Sequence, residues 1–205
     1  WDKYPVEQVA TPEGYARNPE LVINFYNERR KQLLEVRPND GHLGLAELEA
    51  DFNVTVVTQN IDNLHERAGS RRIIHLHGEL TKVCSSRDPY NPHYIKELKP
   101  DEYEVKFGDK AGDGTQLRPF IVWFGEPVPE IETAVNYVEK ADIFVIIGTS
   151  MNVYPAAGLL NYVPREAEVY LIDPKPVDVH SMRRIHVIQK GASEGVRELR
   201  SLLQP

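Results

Sequence analysis

The run Ile143-Phe144-Val145-Ile146-Ile147, opened by Asp142 and followed by Gly148-Thr149-Ser150, constrains the fold more than any other stretch. Consecutive apolar residues leave no polar face, so the strand they predict is covered on both sides. That is the position of a central strand in a parallel sheet flanked by helices. The surroundings agree. A helix is predicted over Ile131 to Glu139, another near Ala156 to Tyr162, strands at Glu168 to Ile172 and His186 to Gln189, and a last helix over Glu194 to Leu203. Earlier in the chain, Asn18-Pro19-Glu20 reads as a helix start: a cap, a proline in the first turn, then an acid facing the dipole. Leu21, Val22, Phe25, Leu33 and Leu34 continue it on one face. A second helix covers Leu43 to Leu48, and strands are expected at Val54 to Val57, Arg72 to Leu76 and Phe120 to Phe124. Strands alternating with helices imply an α/β, doubly wound parallel sheet. From Lys82 to Gln116 the periodicity decays among Asp, Lys, Pro and Gly. This stretch reads as a small module, 82–116, inserted into a main domain of 1–81 and 117–205.

A chain of 205 residues, 41% of them apolar, suits one domain of ordinary size with such an insertion. The net charge of −7 argues against general nucleic-acid binding. No apolar stretch reaches the ~18 residues of a membrane span, so no membrane partner is expected. The single cysteine, Cys84, excludes an internal disulfide and any multi-cysteine metal site within one chain. It fits a reducing compartment, and a cytoplasmic location is expected. Trp1-Asp2-Lys3-Tyr4-Pro5 resembles no targeting signal, and the missing initiator methionine suggests a fragment or a processed form. Oligomeric state is not legible.

Ligands of an open parallel sheet sit beyond the carboxyl ends of its strands. Three predicted strand ends carry polar groups: Thr58-Gln59-Asn60-Ile61-Asp62, then Gly148-Thr149-Ser150-Met151-Asn152, then Asp173. Glycine followed by hydroxyls can offer backbone N–H groups to a phosphate, although the triplet alone equally describes a capped helix start. An acid after a later strand suits ribose hydroxyls. Together the three ends favour a nucleotide. His77, just past a strand, has the ordinary imidazole pKa of about 6.5 that suits a base at neutral pH. On residues alone it is one of seven histidines, and a structural role serves it, His75 and His65 equally. Tyr26 and Arg29 share a helix face, where a phenol and a guanidinium can grip one carboxylate. The plainer alternative is a solvated basic turn, Arg29-Arg30-Lys31.

Thr58 to Gly69, His75 to Leu80, Leu117 to Glu126, Gly148-Thr149-Ser150 and Val153-Tyr154-Pro155-Ala156-Ala157 appear in the order found in one family. On these segments the chain resembles the sirtuins, NAD-dependent protein lysine deacylases. The resemblance implies a Rossmann-like NAD-binding sheet, NAD as co-substrate and acylated lysine side chains of proteins as partners. Gln59, Asn60, Ile61 and Asp62 match the motif that holds nicotinamide and its ribose. His77 matches the catalytic base, with Asn60 beside it in the chemistry. Val122, Trp123, Phe124, Gly125 and Glu126 match the segment that pairs with the substrate backbone as an added strand. Gly148, Thr149, Ser150 and Asn152 match the phosphate and ribose contacts of NAD. Asp173 stands where the family usually has asparagine, and Gly191-Ala192 match the adenine-side loop. Tyr26 and Arg29 match the Tyr-x-x-Arg of a subgroup that recognises acidic acyl groups, with Ala10 as the small residue that widens its pocket. The implied reaction removes succinyl or malonyl groups, and acetyl also. It releases nicotinamide and O-acyl-ADP-ribose, with His77 deprotonating a ribose hydroxyl.

Two departures stand out. Sirtuins usually hold one zinc with two Cys-x-x-Cys pairs. Here the first pair reads Cys84-Ser85-Ser86-Arg87, and counting back from Leu117 puts Lys110 and Asp113 at the second. One thiolate, two cations and one acid do not make that site, so zinc is not expected. An ion pair of Arg87 or Lys110 with Asp113, and packing of Tyr90, Tyr94, Ile95, Leu98 and Tyr103, are expected to hold the module instead. The family's N-terminal glycine-rich phosphate loop is also absent, and residues upstream of Trp1 are expected to supply it. Two other readings stand beside deacylation: a protein ADP-ribosyltransferase, and a degenerate, non-catalytic sirtuin that binds acyl-lysine or nucleotide. The departures favour the last; Asn60, Asp62 and His77 oppose it.

Overall fold

The computed structural model describes residues 3–148, 156–177 and 183–204. In chain order its elements are α1 (Val6–Val9), α2 (Pro12–Arg17), α3 (Pro19–Glu35), α4 (Asp40–Glu47), β1 (Val56–Thr58), α5 (Leu64–Ala68), β2 (Ile73–His75), β3 (Gly78–Ser85), β4 (Lys96–Glu97), β5 (Leu117–Ile121), α6 (Ile131–Val138), β6 (Ile143–Ile147), β7 (Glu168–Ile172), β8 (Ile185–Ile188) and α7 (Ala192–Leu203). The predicted helix near Ala156 to Tyr162 is a 3-10 helix. Among the described residues no helix is long and apolar enough to cross a membrane. The chain forms two compact units. The first comprises Trp1–Arg37, Thr58–Asn63 and His75–Pro129, the second Pro38–Val57, Leu64–Ile74 and Glu130–Pro205.

The second unit carries the parallel sheet, in the order β6-β7-β8. β6 pairs with β7 from Ile143 opposite Glu168 to Ile147 opposite Ile172, and β7 continues onto β8. The central strand among the described residues is β7, whose Val169, Tyr170, Leu171 and Ile172 are all buried. The apolar run that became β6 was expected in that place, yet all five of its residues are half-buried. It lies at the sheet's flank, with one strand neighbour among the described residues. α7 closes the core by setting Val196 and Leu199 on Tyr170, Ile172 and Ile188. The approach is close: a Cβ on Gly195 would meet Ile172 at 2.2 Å, so only glycine fits there.

The first unit is built on an antiparallel sheet, β4-β3-β5, which the weak pattern of 82–116 did not reveal. Asn18 caps α3 by accepting the Leu21 N–H at 3.2 Å, as its cap-and-proline start implies. The helix buries Ile23 against Val83 and Val105, with Leu98 and Leu117 packed beside them. Its buried polar residues do the work of a strand edge. Asn27 donates to the Val105 carbonyl at 2.8 Å and accepts the Val105 N–H at 2.9 Å, and Arg30 Nε donates to the Tyr103 carbonyl at 2.9 Å. Arg30 is therefore not part of a solvated basic turn. It is 3% exposed, and burial brings its pKa down to about 10.

Candidate active site

In the first unit the end of β1 is tied to the turn between β2 and β3. Thr58 Oγ1 accepts the Asn60 N–H at 3.0 Å, and the Thr58 carbonyl accepts the Leu76 N–H at 3.0 Å. The Ile61 carbonyl accepts the Leu80 N–H at 2.8 Å. His75 is buried, and its Nδ1 lies 3.1 Å from the Asn60 carbonyl. A carbonyl only accepts, so Nδ1 carries the proton and Nε2 faces Glu79 at 3.9 Å. These bonds hold the backbone of residues 58–61 against the turn that carries His77. His77 is half-buried and hydrogen-bonded to the Gln59 backbone. Desolvation lowers its pKa from 6.5, and the bond to Gln59 opposes that only in part. Gly78 beside it has φ +88°, and a Cβ there would lie 2.2 Å from the Phe120 carbonyl oxygen. The neighbour of His77 must be glycine for β3 to approach β5 at this point.

The Val122 N–H donates to the His77 carbonyl at 2.9 Å, which brings the segment after β5 to the same place. The strand expected over Phe120 to Phe124 ends at Ile121, and residues 123–126 form a turn. Its causes are visible. Gly125 takes φ +89°, the Glu126 N–H closes onto the Trp123 carbonyl at 3.0 Å, and the Trp123 N–H donates to Glu126 Oε1 at 2.8 Å. The Phe124 N–H donates to the Ala10 carbonyl at 3.0 Å, while the Phe124 ring is 68% exposed. Four N–H groups of this segment are thus engaged within the fold. Glu126 turns inward, with 13% of its side chain exposed, onto Arg118. Arg118 has no role in the sequence reading. Its signal was an arginine inside an otherwise apolar strand, with an acid eight residues on.

Tyr26 and Ala10 are buried behind this turn. The Tyr26 hydroxyl donates to the Val9 carbonyl at 2.9 Å and accepts from Trp123 Nε1 at 3.1 Å. Burial pushes the phenol up to about 12. Its proton is therefore committed to Val9, not held out to a ligand. Arg29 is half-buried, with its guanidinium carbon 5.0 Å from the Phe25 ring centroid. Its Nε is buried and has no hydrogen-bond partner among the described residues.

In the second unit, Gly148 follows β6 with φ +62° and donates its N–H to the Ile172 carbonyl at 3.1 Å. Asp173 follows β7; its N–H donates to the Ile188 carbonyl at 3.2 Å and its Oδ1 accepts the Lys175 N–H at 2.8 Å. Ala192 opens α7, after Gly191. Polar groups and a left-handed glycine at these strand ends fit a dinucleotide's ribose and phosphates. Thr149, Ser150, Asn152 and the Val153-Tyr154-Pro155 motif lie outside the described residues.

The family's zinc does not fit the residues present. Cys84 is fully buried, its Sγ 3.8 Å from the Pro119 carbonyl, and burial pushes the thiol up to about 12. Zinc takes the thiolate, which burial here disfavours. The next residue points to the opposite face of β3. Ser85 Oγ donates to Asp113 Oδ2 at 2.5 Å and accepts the N–H groups of Arg87 and Asp88 at 3.1 and 3.0 Å. Thr115 Oγ1 donates to Asp113 Oδ1 at 2.6 Å, and Ser86 donates to the Gln116 carbonyl. Hydroxyls chiefly hold Asp113, with the expected Arg87 adding only a smaller electrostatic pull, and Lys110 instead bridges to Gln116 through the backbone. Two hydroxyls and one carboxylate, already bonded to one another, are a poor donor set for zinc.

An α/β chain with a parallel sheet, and with an imidazole hydrogen-bonded to the backbone just past its first strand, fits a nucleotide-binding enzyme class. Comparison with known proteins gives the family. The Sir2 family model matches residues 1–155. An "NAD-dependent protein deacylase" of Bacteroides thetaiotaomicron is 84% identical over 205 residues, covering 100% of this chain and 88% of that protein. One of Helicobacter pylori is 46% identical over 199 residues, covering 97% and 84%. Among solved structures, a Sir2 homologue–NAD complex superposes with a TM-score of 0.80 at 34% identity, covering 100% of this chain and 81% of the other. A Sir2–p53 peptide–NAD+ complex gives 0.73 at 26% identity, covering 93% of this chain and 80% of the other. The chain belongs to the Sir2 family.

Proposed function

We propose that this chain is an NAD-dependent protein lysine deacylase whose pocket takes acidic acyl groups, succinyl and malonyl, and accepts acetyl as well. One observation carries the reading. His77, residues 59–62 and the turn after β5 are locked together by backbone hydrogen bonds within a single unit, through Gln59, Leu76 and Val122. NAD, as co-substrate, supplies a cleavable bond to nicotinamide. Gln59, Asn60, Ile61 and Asp62 hold the nicotinamide and its ribose, and Asn60 orients the reacting side. Gly148, Thr149, Ser150, Asn152, Asp173 and Ala192 serve the rest of the dinucleotide.

His77 is the base. An imidazole with a lowered pKa is neutral at physiological pH, and so is ready to take a proton from a ribose hydroxyl. Val122, Trp123, Phe124 and Gly125 present carbonyls and the exposed Phe124 ring to the acyl-lysine segment, while Glu126 supports them from inside. Arg29 supports the acidic preference, because its buried Nε lacks an acceptor that a carboxylate would provide. Tyr26 joins it only if a substrate oxygen replaces the Val9 carbonyl as the phenol's acceptor. We further propose that residues 1–81 and 117–205 make the NAD-binding part, that 82–116 is a module held without zinc, and that the protein acts in the cytoplasm.

The test is turnover of one peptide carrying succinyl-, malonyl- or acetyl-lysine, with NAD. Higher kcat/KM for the acidic acyl groups supports the reading. A clear preference for acetyl rejects the acidic pocket while leaving deacylation in place.

A further inference from the structure

We infer that Arg118 is a positioning residue for the peptide-binding turn, acting through Glu126; this rests on the reading of that turn as the docking edge for substrate. The Arg118 side chain is 5% exposed. Its Nη1 donates to Glu126 Oε2 at 3.0 Å and its Nη2 to Oε1 at 2.9 Å, a bidentate pair. Nη2 also donates to the Ile121 carbonyl at 2.9 Å, and the guanidinium carbon lies 3.8 Å from the Trp123 ring centroid. One guanidinium therefore holds the last residue of β5, the ring that opens the turn and the carboxylate that closes it. Glu126 relays this grip to the backbone by accepting the Trp123 N–H.

Stability alone does not call for this arrangement. Taking an ion pair out of water costs about as much as the pair returns, and apolar residues of similar volume often serve a fold as well. What the pair supplies is geometry: a planar fork with fixed donor directions, which lysine lacks. The geometry reaches the chemistry by a short path. Val122, inside the segment Arg118 braces, donates its N–H to the His77 carbonyl, and Phe124 at the tip is bonded to Ala10. The turn is braced from within, and its exposed face is left to present carbonyls and the Phe124 ring.

The experiment compares wild type with Arg118→Lys and Glu126→Gln in the full chain. Separate KM values for acyl-peptide and for NAD are measured, together with kcat. A Trp1→Phe background lets the fluorescence of Trp123 report the turn. Arg118→Lys keeps the charge and loses the fork, so peptide KM rises roughly tenfold or more while NAD KM stays within about twofold. Trp123 emission changes with it, because the stacked guanidinium is gone. Glu126→Gln, which keeps one acceptor for the Trp123 N–H, gives the same split to a lesser degree and serves if the lysine variant does not fold. An active wild type with unchanged peptide KM in both variants overturns the role of Arg118 alone. So does an equal rise in both KM values. A wild type that releases no nicotinamide with any acyl-peptide removes the functional reading, and this role with it.

Discussion

Ser85 donates its hydroxyl proton to Asp113 at 2.5 Å and so joins the end of β3 to the loop that leads into β5. Thr115 bonds the second oxygen of the same carboxylate at 2.6 Å. The clasp lies where the family usually has a metal, and hydroxyls do the holding. Purified protein is accordingly expected to carry far less than one zinc per chain, and chelators leave its Tm unchanged. Asp113→Ala lowers Tm. A stoichiometric zinc content, or a fall in Tm on chelation, contradicts the clasp.

The same carboxylate sets a pH dependence. Hydrogen bonds from Ser85, then Thr115, hold the Asp113 carboxyl below its ordinary 3.8. A depressed acid stabilises the fold above its unfolded pKa, and that stabilisation is lost as pH falls through the folded value. The Tm gap between wild type and Asp113→Asn is therefore full near neutral pH and closes in acid below 3.8. A gap that stays constant across this range refutes the assignment.

His77 is shifted downward by desolvation. Its neutral, proton-accepting form persists to lower pH than that of a free imidazole. The acid limb of the kcat/KM profile is expected below 6.5. A limb at or above that value, with the enzyme shown to remain folded, removes His77 as the titrating base.

Arg29 and Tyr26 separate function from stability. On the proposed acidic pocket, Arg29→Met forfeits charged hydrogen bonds worth about 1.5–3 kcal/mol, so succinyl kcat/KM is expected to fall roughly 10- to 100-fold with acetyl turnover little changed. Tyr26→Phe leaves the Val9 carbonyl and the Trp123 Nε1–H without their partner. It costs about 1–3 kcal/mol of stability for each buried group left unpaired. Urea unfolding of both variants, beside their kinetics, reads the two effects. Equal loss of succinyl and acetyl rates in Arg29→Met counts against the acidic pocket.

Asn27 is the link between α3 and the 82–116 segment. Asn27→Ala orphans both the N–H and the carbonyl of Val105. A loss of about 2 kcal/mol or more in urea unfolding is expected. A loss within error means that water takes the place of the amide.

Local rules carried parts of both units. Glu168 to Ile172 is the strand its apolar content predicts, and the cap at Asn18 starts α3 where the cap and proline place it. The polar cluster after β1 is also where the sequence put it, with His77 hydrogen-bonded to Gln59. The rest of the first unit was less legible because distant partners shape it. Val122-Trp123-Phe124 has strand composition, yet Gly125 and the capture of Glu126 by Arg118 bend it into a turn. Arg30 reads as one more charge in a basic run, and its burial is explained by the Tyr103 carbonyl and the Asn27 side-chain oxygen. β4 is two residues long and pairs with a strand some distance back in the chain, which leaves no periodic trace. The prominence of the β6 run misled in another way: an unbroken apolar run did not make this strand central, and its residues are half-buried.

The most direct measurement is nicotinamide release from NAD, with and without a succinyl-lysine peptide, by wild type and by His77→Ala. Wild type is expected to release nicotinamide only when the acyl-peptide is present. Removing the base should lower turnover by roughly 10²- to 10⁴-fold. Release that ignores the acyl-peptide, or that survives His77→Ala undiminished, contradicts the account.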